Sequence, residues 1–200
     1  IWLEHELHDT PDELKSTLQG LLDGLDYVNR VIFLYGNCGN GVQGIRTGEF
    51  ELIVPRLDDC ISLLIGSQER RTELSSEYAA MFYTEGWLRG KRNLTNEYKI
   101  TAEKFGMEMA IKLHKMMLAN YRSLALLDTG LCPIEKLEEE TQEACELFEL
   151  DQVILPATLT YLEELVCGPW PEERFVHVPP RSEVKSSDFL LPSDSERQTA

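Results

Sequence analysis

The sequence has no apolar stretch long enough to cross a bilayer, and no signal peptide is visible at its start. Positive charge is scarce: 19 Lys and Arg stand against 35 Asp and Glu, for a formal net charge of −16. That balance argues against a nucleic-acid partner, which needs a positive surface to meet phosphates, and against an anionic membrane surface. Cysteines number five, an odd count without short regular spacing, so they do not read as a secreted disulfide framework. A reducing cytoplasm is the expected compartment, where thiols bind metals or react. A CxxC zinc knuckle is absent, as are internal repeats and low-complexity segments. The chain begins at Ile1 without an initiator Met, so its natural start is expected upstream.

Against these absences stands one loop-rich stretch, Val31-Ile-Phe-Leu-Tyr-Gly-Asn-Cys-Gly-Asn-Gly41. The apolar run Val31 to Leu34 has the length of a buried strand, and three glycines and a thiol follow it. Gly36, Gly39 and Gly41 allow left-handed backbone and close approach to whatever sits above the strand end. A second apolar run, Phe50 to Val54, ends in Pro55-Arg-Leu-Asp-Asp-Cys60. In an open parallel sheet, ligands bind outside the carboxyl ends of strands, which places Cys38 and Cys60 where chemistry is expected. Free cysteines are also common core fillers, so packing alone is the competing explanation.

The remaining pattern alternates strands and helices. Thr10-Pro-Asp-Glu13 has the form of a helix start with a capping box, and Leu14, Leu18, Leu21, Leu22 and Leu25 repeat at helical spacing behind it. Asp58 and Asp59 occupy the N-cap region of a helix that begins near Cys60. A helix start favours thiolate and the neighbouring carboxylates oppose it, so the ionisation of Cys60 stays open. Glu69 to Ala80 reads as a helix, Ala80 to Thr84 as a strand, and Asn96 to Ala119 as the longest helix. Its stripe of Phe105, Met109, Leu113, Met116 and Met117 is expected to face the core, with His114 structural or solvated. Ser123 to Leu127 is a third strand, ending in Asp128-Thr-Gly130. Helices are expected over Pro133 to Glu149 and Leu155 to Val166, and a last strand over Phe175 to Val178. The fold class is therefore α/β, with a mainly parallel sheet and helices on both faces in three layers. A single domain is expected over 1–180, with a flexible or partner-draped tail over 181–200.

Known motifs are a poor match for the glycine loop. Its glycines have the wrong order for a dinucleotide fingerprint, and no lysine is present to cradle phosphate. Two thiolates with one or two further ligands suit Zn²⁺ or an iron–sulfur cluster. His8, just before the first helix, and the carboxylates Asp58 and Asp59 are the nearby candidates; a histidine in that position serves as readily as a surface or capping residue. Two other classes stay open: a cofactor-independent acid/base enzyme with two facing cysteines, of the racemase kind, and a non-catalytic cofactor-binding or chaperone module.

Tyr35-Gly-Asn-Cys-Gly-Asn-Gly41, Pro55-Arg-Leu-Asp-Asp-Cys60, Leu64-Ile-Gly-Ser67, Phe82-Tyr-Thr-Glu-Gly-Trp87 and Leu127-Asp-Thr-Gly130 resemble an uncharacterised family, domain-of-unknown-function family 1638. Leu7-His-Asp-Thr-Pro11 also fits its pattern, and the resemblance runs to about Pro180. It implies a gene neighbourhood of corrinoid-dependent methyl transfer, hence one-carbon metabolism with a corrinoid protein or methyltransferase as partner. It also implies a third cysteine on a strand upstream of Ile1, and a histidine where this chain has Asp58. Together these readings lead to an expected metal centre, zinc or iron–sulfur, held by Cys38, Cys60 and His8, with Asp59 beside the reactive thiols. A small anionic ligand is expected against the loop of Tyr35, Gly36, Asn37, Gly39, Asn40 and Gly41. Arg56, Ser67, Thr84, Trp87, Thr129 and Gly130 are expected to line the same cleft.

Overall fold

A computed structural model describes residues 1–3, 7, 10–90 and 93–190. The chain forms two compact units, the first from Ile1–Gln68 with Thr158–Ala200 and the second from Glu69–Ala157. Each carries its own three-stranded sheet. Mixed α/β architecture is as expected, and three of the four strand pairings are parallel.

The first unit begins with α1 (Pro11–Asp23), whose Leu14, Leu18 and Leu22 are buried. Pro11 opens the helix, where its missing N–H costs nothing, but Thr10 makes no side-chain cap, so the capping box expected from Thr10 and Glu13 does not form. Strand β1 (Arg30–Ile32) pairs in parallel with β2 (Glu51–Pro55), and β2 pairs antiparallel with β6 (Phe175–Val178). Alternation along the strands sorts the side chains. Leu52, Val54, Val176 and Val178 pack with the leucines of α1. Ile53 and Phe175 point the other way, into a cluster with Leu63 of α2 (Cys60–Ile65) and with Tyr161 and Leu165 of α8 (Thr160–Cys167).

Within the segment expected as a flexible or partner-draped tail, residues 182–190 pack on this unit. Val184 is buried, and its backbone exchanges hydrogen bonds with Gly44 and Ile45 at 2.8 and 2.9 Å. The guanidinium of Arg56 fixes the segment further, donating to the carbonyls of Glu172, Asp188, Leu190 and, at 3.4 Å, Phe175.

In the second unit β3 (Ala80–Tyr83), β4 (Ser123–Asp128) and β5 (Asp151–Pro156) form an all-parallel sheet. Helix α3 (Gln68–Tyr78) leads into β3, and α4 (Glu85–Arg89) follows it. Side chains of α5 (Leu94–Phe105) and α7 (Ile134–Phe148) cover Leu124 and Leu126 of β4. The long helix expected over Asn96 to Ala119 is two helices. Gly106, at φ 82°, ends α5, and α6 (Met107–Met117) begins directly after it. The break turns the expected core stripe outward: Phe105 is 66% exposed and Met116 and Met117 68% each. The buried face of α6 is instead Ala110 and His114. His114 is stacked on Phe148 with its Nδ1 on the Ala110 carbonyl at 2.9 Å, a structural role.

Candidate functional site

Parallel pairing of β1 with β2 carries the two cysteine loops out of the same end of one sheet. The ladder continues beyond the strands: Phe33 donates its N–H to Ile53 at 2.9 Å, and Asn37 donates to Leu57 at 2.9 Å. Gly36 lies against the backbone of Asp59 so closely that a Cβ there would stand 2.8 Å from its carbonyl oxygen. No side chain fits in that space, so only glycine lets the loops cross at this distance. Cys38 follows two residues later, opening the 3₁₀ turn Cys38–Asn40, in which Gly39 and Asn40 take φ of 57° and 62°. On its other side the turn rests on the start of α1, with Pro11 Cγ 3.7 Å from where a Gly39 Cβ would be and Leu14 beside Gly41.

Asp59 is the N-cap of α2, its carboxylate accepting from Ser62 N and Ser62 Oγ, both at 2.8 Å. Cys60 is the first helical residue. The outcome is direct contact between the two half-buried thiols. Cys60 donates its S–H to the Cys38 sulfur, which also accepts from the Cys60 backbone N–H. That donated hydrogen bond is the main reason the Cys38 thiol is held below its usual value, against burial and the charge of Asp59. Cys60 is pushed up, first because its proton is engaged on Cys38, then by burial.

Two buried polar atoms in the same loop have no partner among the described residues, Tyr35 Oη and Asn37 Oδ1. Tyr35 Oη is 3.5 Å, and the Cys38 carbonyl oxygen 3.2 Å, from the position of a Gly41 Cβ, which sets the phenol beside the cysteine turn. Burial and then the Cys38 charge push the Tyr35 hydroxyl up, so it remains a donor. An unsatisfied buried polar group costs about 1–3 kcal/mol, so such atoms in a functional loop ask for a ligand or a water.

The other expected site residues have these local surroundings. His8 lies outside the described residues. Arg56 spends its guanidinium on the backbone carbonyls already named. Ser67 follows Gly66, the left-handed cap of α2. Thr84, Trp87, Thr129 and Gly130 belong to the second unit. There Thr84 caps α4 by accepting from Trp87 N at 3.2 Å, and Asp128 accepts from Gly130 N at 2.8 Å in a tight turn. Cys132 donates to Glu85, Cys145 is buried in the core, and Cys167 is exposed at the end of α8. Sequence reasoning missed Ser62 and Gln68: Ser62 Oγ lies 2.8 Å from Asp59 Oδ1 and 2.9 Å from Gln68 Oε1, bracing the second loop. Asp59 followed three residues later by Ser62 was the available signal.

No group of three or more His, Cys, Asp or Glu poised to hold a metal occurs among the described residues. Comparison with known families then decides the chain's affiliation, for residues 2–166 match the family described as "Protein of unknown function (DUF1638)". The chain belongs to DUF1638. No curated protein and no solved structure matches this DUF1638 chain. Both cysteine loops, Tyr35 and Asn37 of the DUF1638 protein fall inside the matched segment. None of its helices, among the described residues, is long and apolar enough to cross a membrane.

Proposed function

We propose that Cys38 and Cys60 are two ligands of a mononuclear thiolate metal site, with zinc the best-suited ion, completed by a residue outside the described set. The single observation that carries this reading is the crossing of the two loops at Gly36 and Asp59, which sets the half-buried Cys38 and Cys60 side by side. Two thiolates on one tetrahedral zinc stand about 3.8 Å apart, given Zn–S bonds of about 2.3 Å. That spacing is close to that of two hydrogen-bonded thiols, so the loops need little movement to take up the ion. Only two thiols gather here, whereas iron–sulfur clusters call for about four ligands, usually all cysteine, which favours zinc over a cluster.

His8 is the preferred third ligand on chain length: Pro11 touches the cysteine turn, and three residues span at most about 11 Å. Asp59 is already engaged as a helix cap and supports the site through Cys60. A remaining coordination position would take water or a small anionic ligand. Tyr35 Oη is a hydrogen-bond donor suited to it, which gives its unpartnered burial a purpose. A zinc held there would supply Lewis acidity or activation of a bound thiol, chemistry suited to methyl transfer to or from a corrinoid protein. The link to corrinoid-dependent one-carbon metabolism in the cytoplasm rests on the family resemblance.

The acid/base alternative fits the geometry less well. Two cysteines that exchange a substrate proton must stand on either side of a carbon, and thiols in mutual contact leave no room for one. Elemental analysis of protein purified anaerobically tests the proposal. It predicts near-stoichiometric zinc that is lost in Cys38→Ser and retained in Cys132→Ser; a metal-free sample that is folded and has its thiols reduced contradicts it.

A further inference from the structure

The contact between Cys38 and Cys60 has a chemical outcome that does not require a metal. We infer that these two residues form a reversible intrachain disulfide with small-molecule disulfides such as oxidised glutathione, making this loop pair a thiol–disulfide exchange site.

The inference rests on placement. A disulfide needs Cβ atoms about 3.5–4.5 Å apart and sulfurs at about 2.05 Å, so it calls for two cysteines on backbones that already run side by side. The backbones that carry them are held in register by the Asn37 to Leu57 hydrogen bond at 2.9 Å and by the Gly36–Asp59 crossing. Closing the bond therefore orders little that is not already ordered. Gly39 and Gly41 on either side of Asn40 give the Cys38 turn room to shift its sulfur. Both cysteines are partly exposed, whereas Cys145 is buried. The other three cysteines lack this arrangement: Cys132 is bonded to Glu85, Cys145 is buried, and Cys167 is exposed at a helix end.

The exchange balances without any further reactant. Cys38, whose sulfur accepts the hydrogen bond, attacks one sulfur of the small disulfide and expels a thiolate, which takes up the proton that Cys38 released. Cys60 loses its proton and attacks the Cys38 sulfur, forming the intrachain bond and expelling the second small thiolate, which takes up that proton. Two protein thiols are oxidised and one small disulfide becomes two small thiols. The cross-linked sulfurs are no longer thiolates, so a metal and the disulfide exclude each other.

The test uses the whole chain, reduced, stripped of metal with a chelator, and incubated anaerobically with oxidised glutathione before acid quenching, alkylation and tryptic digestion. Cleavage after Arg30, Arg46, Arg56 and Arg70 places Cys38 on peptide 31–46 and Cys60 on peptide 57–70. The expected product is a covalent pair of these peptides, lighter than the two reduced peptides by two hydrogens and released by dithiothreitol. Cys60→Ala, checked for folding by circular dichroism, is expected to stop at Cys38 bearing glutathione. Both peptides alkylated, or each separately carrying glutathione in the unsubstituted protein, would overturn the inference. Zinc content is measured on the untreated sample. Its absence would count against the metal site and leave the cross-link standing, whereas zinc without a cross-link would do the reverse.

Discussion

Replacing Gly36 with alanine tests the packing that brings the two cysteines together. The new methyl would meet the Asp59 carbonyl oxygen at 2.8 Å and its carbonyl carbon at 2.9 Å, both backbone atoms that cannot swing aside. Ordinary contact begins near 3.4 Å, so one loop must retreat by about half an ångström. Overpacking of this kind costs about 1–3 kcal/mol. For a chain of 150–250 residues each kcal/mol lowers Tm by roughly 2–4 °C, so a fall of about 2–12 °C is expected. The same displacement separates the sulfurs. Metal affinity should fall about 10–100-fold, as when a group supporting a ligand is lost. Gly20→Ala is the matched control: it lies within α1 with nothing within 4 Å of its added methyl. By helix propensity it should stabilise by about 0.5–1 kcal/mol. Thermal melts and metal titration of both variants decide the matter. A Gly36→Ala protein with unchanged Tm and unchanged metal affinity would refute the close crossing.

Four further outcomes follow, two at the cysteine loops and two in the second unit. In metal-free protein the hydrogen bonds on the Cys38 sulfur favour its thiolate, so its alkylation should persist to lower pH than that of an ordinary thiol. Cys60→Ala removes the principal donor and should move the midpoint of that profile to higher pH; an unmoved midpoint would contradict the contact. His8→Ala should lower zinc affinity, whereas equal zinc affinity would assign the third ligand elsewhere. In the second unit, His114→Ala should cost about 2–4 kcal/mol, because the ring is buried and stacked on Phe148. Met116→Gln and Met117→Gln should stay within about 0.5 kcal/mol, as exposed positions do, and a large loss at either would restore the methionines to the core.

Strands β1 to β4, β6 and the cysteine loops were legible because their signals are local, whereas β5 (Asp151–Pro156) lies where no strand was expected and where a helix was expected to begin at Leu155. A short apolar run followed by glycines identifies β1 and its loop, and Asp59 ahead of Cys60 identifies the start of α2. The need for glycine at position 36 was visible only in general terms; the partner, the Asp59 backbone, is a tertiary fact. Helical periodicity misled at the methionine stripe. Spacing of 3.6 residues was measured across Gly106 as if the helix were continuous, and the break there rotates α6 so that Ala110 and His114 face inward. The division into two units was also hidden. The first unit is completed by Thr158 to Leu190, and β6 adds antiparallel to β2 from far along the chain. The packed stretch of 181–190 reads as polar and proline-flanked. Its anchoring comes from Val184 and from carbonyls that receive Arg56, an arginine whose sequence context suggested an anion.

X-ray absorption at the zinc edge, on protein purified anaerobically, reads the ligands of the proposed centre directly. Two sulfur scatterers at about 2.3 Å, with the rest of the shell nitrogen or oxygen at about 2.0–2.2 Å, are expected, falling to one sulfur in Cys60→Ala. A shell with no sulfur, or one unchanged when either Cys38 or Cys60 is replaced, would contradict a metal held between these two loops.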